Sequence, residues 1–131
     1  MTMTRTANFR RMALDHFEPE ADTDPQAQRR LRGHLEQIDY TAYAANVAVL
    51  GPVVGDADAT RFQRLAVTAA QARAQWVAEA LAMTETAGVV LSAAQTQRLT
   101  ALRTAHEELT EAYEAMRRMV ERGYVTYRPA P

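Results

Sequence analysis

The chain contains no cysteine and no lysine. Without cysteine there is no thiol nucleophile, no thiolate-bound zinc and no disulfide. Such a chain tolerates any redox compartment. Without lysine there is no Schiff-base amine and no phosphate-loop lysine. All 15 basic residues are arginine. A GC-rich coding bias accounts for this and for the abundance of alanine; the sharper reading is selection for forked, bidentate contacts. Long apolar runs are also missing. The longest, from Tyr40 to Val54, is broken by Asn46, Gly51 and Pro52 and falls short of the ~20 residues a spanning helix needs. The N-terminal stretch MTMTRTANFRRMALDHF has no apolar core of a secretory signal. A cytoplasmic protein, or one within a cytoplasmically assembled particle, with no membrane span is the expectation. The formal charge of −1 offers no global field for nucleic acid or an anionic surface.

What is present is helical punctuation. The acidic stretch EPEADTDP ends in Asp24-Pro25, a capping residue followed by proline at the first helical position. LGPVVGDAD, residues 50–58, supplies glycine and proline to stop one helix near Leu50, then Asp56 or Asp58 to cap the next. Gly88 is a second stop, and Ser92-x-x-Gln95 reads as a capping box. Gly123 is a third stop, followed by a proline-ended tail.

Three long helical segments lie between these marks, preceded by a shorter one over residues 4–17. The first long segment carries Leu31, Leu35, Ile38, Ala42, Ala45 and Val49. The third carries Leu99, Leu102, His106, Leu109, Tyr113, Met116 and Val120. Both follow the alternating three- and four-residue steps of left-handed bundles. The second carries Phe62, Leu65, Ala69, Ala72, Trp76, Ala80, Met83 and Ala87, with an extra four-residue step after Trp76 that relaxes supercoiling. Short loops make neighbours antiparallel. The expected fold is therefore all-α: an up-down antiparallel bundle of three long helices plus a short N-terminal helix. It forms one domain over residues 1–131. Residues 1–17 serve as a docking helix or arm, 18–24 as an acidic linker, and 124–131 as an extended C-terminal tail. The alternating YVTYR of that tail has no evident strand partner. At 131 residues such a domain can bury about 65–70% of its unfolded surface.

The first long helix has a second stripe, Tyr40, Tyr43, Val47 and Leu50. A helix apolar on two faces must be covered on both. A second subunit is the preferred cover, because the N-terminal helix offers little beyond Phe9, Met12, Ala13 and Phe17. Tyr40, Tyr43, Val47, Leu50, Phe9 and Phe17 are thus the interface candidates.

The residues that carry chemistry are few. His106 sits in a seam, where a lone ring is more often packed and bonded to a carbonyl or carboxylate than metal-bound. His16 and His34 lie in other segments, and no histidine has glutamate three residues before it, so the di-iron pattern is absent. The acids Glu107, Glu108, Glu111 and Glu114 read as a solvated face, with Glu114 in reach of Arg117 and Arg118. The run from Glu18 to Asp24 lacks the glycine and closing glutamate of a calcium loop. Trp76 is a core anchor or the wall of a ligand pocket with His106. Arg10, Arg11, Arg29, Arg30 and Arg32 form the one basic concentration, a candidate patch for an anion or acidic partner. Nucleotide-binding, hydrolase and zinc-protease motifs are all missing.

Three functional readings follow. The favoured one is a non-catalytic helical assembly or adaptor protein that acts through protein–protein contacts or self-association, without metal or cofactor. Its layout is similar to that of small helical subunits with arms in multimeric phage-like or bacterial assemblies such as phage connectors, a likeness of layout alone. The alternative is a small regulator or sensor that takes an apolar ligand between helices near His106 and Trp76. A catalytic bundle with His106 as base lacks a nucleophile and oxyanion donors.

Overall fold

The computed structural model describes residues 24–86 and 90–131. Three helices account for most of them: α1 (Pro25–Val54), α2 (Ala59–Thr84) and α3 (Ala93–Glu121). Two short strands, β1 (Ala57–Asp58) and β2 (Tyr127–Arg128), complete the set. The expected helix over residues 4–17, with Phe9, Phe17, Arg10 and Arg11, lies outside the described residues, as does the stop at Gly88. The chain divides into two compact units, Met1–Ala45 and Asn46–Pro131.

α1 begins as the Asp-Pro pair predicts. The Asp24 carboxylate accepts the Gln26 N–H at 3.0 Å, and its carbonyl accepts the Gln28 N–H at 3.0 Å. Two of the first-turn donors are thereby satisfied. The helix does not stop near Leu50. It continues through Gly51 and Pro52 to Val54, because proline in the last turn removes only one backbone bond and the helix has almost ended. The stop is Gly55, whose φ of +74° suits a residue without Cβ. Its N–H closes the turn on the Gly51 carbonyl at 2.8 Å. None of the 30 residues of α1 is buried.

α2 and α3 form an antiparallel hairpin. Glu79 meets Arg98 at 3.4 Å near the connecting turn, Trp76 stacks on His106 midway, and Phe62 meets Tyr113 at the far end. Asp58 caps α2 by accepting the Arg61 N–H at 2.8 Å. Ser92 caps α3 through a complete capping box: its hydroxyl accepts the Gln95 N–H at 3.1 Å, and the Gln95 amide oxygen accepts the Ser92 N–H at 2.9 Å. A cap of this kind contributes about 1 kcal/mol. The half-buried positions of α2 include Phe62, Leu65, Ala69, Ala72, Trp76, Ala80 and Met83. Those of α3 include Leu99, Leu102, His106, Leu109, Tyr113, Met116 and Val120. These are the seams that the step pattern predicts.

α3 ends at Gly123 (φ +76°), with the Gly123 N–H on the Val120 carbonyl at 3.0 Å and the Tyr124 N–H on the Met119 carbonyl at 2.8 Å. This pair of bonds is the Schellman closure. The tail beyond it is not a free extension. Tyr127 and Arg128 pair in parallel with Ala57 and Asp58, and the Ala57 N–H donates to the Thr126 carbonyl at 2.9 Å. The strand partner missing from the local sequence is the α1–α2 loop, seventy residues away.

A large core is not what the described residues contain. Only Ala57 and Val125 among them are buried, both where the tail meets the loop. A two-helix hairpin covers one stripe of each helix and leaves the flanks of that stripe open, so the seams stay half-buried.

Candidate functional site

The seam between α2 and α3 holds His106. Its ring lies parallel to Trp76, with centroids 6.0 Å apart and an interplanar angle of 21°. Its Nδ1 stands 3.4 Å from the Thr110 hydroxyl one turn on. The expected carbonyl or carboxylate partner is thus replaced by a hydroxyl and an aromatic face. Beside the ring runs an open groove of about 270 Å³ lined by Ala66, Ala69, Ala70, Arg73, Thr110 and Tyr113 together with His106. Alanines on α2 create it, because small side chains leave space opposite the larger residues of α3. Trp76 touches the histidine but does not line this groove. The groove is mainly apolar, with imidazole, hydroxyl, phenol and guanidinium groups at its edges. It holds no paired acid and base of the kind proton transfer needs.

The acids of α3 are disposed along its exposed side. Glu107 pairs with Arg103 at 3.6 Å, whereas no ion pair joins Glu114 to Arg117 or Arg118 among the described residues. Among the described residues no three histidine, aspartate or glutamate side chains gather to hold a metal ion. No described helix is long and apolar enough to cross a membrane.

α1 carries the other candidates. Tyr40 is 67% exposed and Tyr43 42% exposed, with ring centroids 6.3 Å apart. Val47 is also exposed and Leu50 half-buried. On the opposite side Leu31, Leu35 and Ile38 are exposed, Ile38 to 62%. Arg29, Arg30 and Arg32 are exposed on its first two turns. Their expected companions Arg10 and Arg11 lie outside the described residues.

Sequence reasoning misses the junction between loop and tail. Arg61 reaches back from α2, its Nη1 donating to the carbonyls of Val54 and of Asp56, the latter at 2.7 Å. Arg128 pairs with Asp56 at 3.1 Å and Asp58 at 3.6 Å. Phe62 packs edge-on against Tyr113 (5.4 Å) and tilted against Tyr127 (6.0 Å). The available signals were the alternation in YVTYR and the acids flanking Ala57, but neither identifies the other as partner. No protein-family model, curated protein or solved structure matches the chain.

Proposed function

We propose that this protein is a non-catalytic helical assembly or adaptor subunit that works through protein–protein contact. One observation carries the reading: α1 exposes apolar side chains on two faces while none of its residues is buried. Leaving Leu31, Leu35, Ile38 and the Tyr40–Val47 stripe in water forgoes about 25 cal/mol for each Å² that could be covered. Contiguous exposed apolar surface of this kind marks contact sites. The antiparallel bundle is completed in this reading by cover from a partner or second copy. Such a role needs no cofactor and uses no catalytic group.

Native mass measurement and light scattering at micromolar concentration test the proposal. The expected result is a multimer that Tyr43→Arg dissociates, since a guanidinium placed in an apolar contact is desolvated without a counter-charge. A monodisperse monomer indifferent to that change overturns it. The groove beside His106 favours a second reading, a sensor for a small apolar ligand. That reading requires a bound compound in the native mass spectrum, or a small apolar compound that raises the Tm of the wild type and much less that of Trp76→Ala.

A further inference from the structure

We infer that the occupant of the Leu31–Ile38 face of α1 is the same face of a second copy of this chain, running antiparallel. The inference rests on the assembly reading and specifies its partner and register. Charge complementarity along a continuous helix supports it. Leu31 and Ile38 are seven residues apart in the seam, and each is followed by a charged residue, Arg32 and Asp39. These two therefore occupy equivalent flanking positions one heptad apart. In an antiparallel helix pair, like flanking positions face each other across the seam, and their charges set partner and orientation.

With the two-fold axis between residues 36 and 37, Leu35 packs against Ile38 of the second copy, and Ile38 against Leu35. In the same register Arg32 and Asp39 of the second copy flank the seam on the same side, offset by two residues or about 3 Å along the axis, a span their side chains bridge on both sides of the axis. One patch thus complements itself, as a closed two-fold interface requires. Among the described residues neither Arg32 nor Asp39 has an ion-pair partner within the chain. A parallel pair is disfavoured by the same charges. It would bring Arg29, Arg30 and Arg32 of both copies together at one end, with Glu36 and Asp39 left a turn or more away. Glycine at position 33 and the exposed second stripe lie away from this seam, so the pairing leaves Tyr40 and Val47 available for further contacts.

Complementation tests the pairing. R32D places aspartate opposite Asp39 in both halves of the interface, and D39R places arginine opposite Arg32. Each variant alone is expected to weaken dimerisation at least ~10-fold in sedimentation, like charges being juxtaposed twice. An equimolar mixture restores both pairs, one in its native sense and one with its sign reversed, so heterodimers should form within ~3-fold of wild-type affinity. Circular dichroism confirms that each variant is helical. A second measurement does not depend on these variants. The chain has no cysteine, so Gln26→Cys carries a spin label at one position per copy. The antiparallel register separates the two labels by about 30 Å along the axis at 1.5 Å per residue; a parallel pair brings them to within about 15 Å.

The outcomes separate the two claims. A multimeric wild type whose variants fail to complement, or whose labels lie close together, overturns the antiparallel pairing and leaves the assembly reading standing. A wild type that remains monomeric overturns both, and assigns the cover of this face to another part of the chain or another protein.

Discussion

Tyr127→Ala tests what holds the C-terminal tail to the α1–α2 loop. The tail makes two kinds of side-chain contact there. Tyr127 lies 6.0 Å from the Phe62 ring and is 43% exposed. An aromatic side chain buries about 150–250 Å² when fully covered, so the covered share here is about 100 Å². At about 25 cal/mol per Å² that is about 2–3 kcal/mol. Residues freed from the bridge regain some conformational entropy, which offsets part of it. The expected loss is about 1.5–2 kcal/mol. Arg128 by contrast is 61% exposed, and its pairs with Asp56 and Asp58 are screened by solvent. Arg128→Ala should cost only about 0.2–1 kcal/mol, a loss that fades in 1 M salt. Trp76 is the one tryptophan in the chain and sits in the α2–α3 seam, so its fluorescence in a urea titration reports hairpin unfolding. The result that refutes this reasoning is a tyrosine variant within 0.5 kcal/mol of wild type, on the threshold for ordinary surface changes. An arginine variant whose larger loss persists at high salt refutes it equally.

Two further predictions concern backbone and seam. Gly33 has open space where a Cβ would stand, so Gly33→Ala should stabilise α1 by about 0.5–1 kcal/mol and raise the far-UV helical signal. Gly55→Ala should do the reverse by about 1 kcal/mol or more. Its φ is positive, and the new Cβ meets Arg61 Nη1 at 3.3 Å. Equal effects of the two alanines in thermal melts would contradict the left-handed stop. His106→Leu should change stability by less than about 1 kcal/mol, since the ring's contacts are a 3.4 Å approach to Thr110 and a stack on Trp76. A loss above about 2 kcal/mol in the same urea assay would give the imidazole a structural part that these contacts do not explain.

The three helices were legible because their signals are local. Asp24-Pro25, the Ser92–Gln95 box and Gly123 each act within one turn, so the residue types alone specify the closure. The seams were equally legible, since a period near 3.5 residues puts Phe62, Trp76, His106 and Tyr113 on the faces that meet. The end of α1 was misplaced for a related reason. Gly51 and Pro52 look like a stop, yet the left-handed turn falls at Gly55, where Arg61 binds the Val54 carbonyl of the helix end and the Asp56 carbonyl of the loop.

The amino-acid sequence by itself determined the helical class, the caps and the hairpin faces, because backbone capping and side-chain periodicity are properties of neighbouring residues. Only the tertiary structure decided that Tyr127 and Arg128 pair with Ala57 and Asp58, that Trp76 stacks on His106, and that Ala57 and Val125 are the buried residues among those described. Those outcomes depend on which distant segments share space, and the contact energies that select them arise only when the chain has closed the intervening loop.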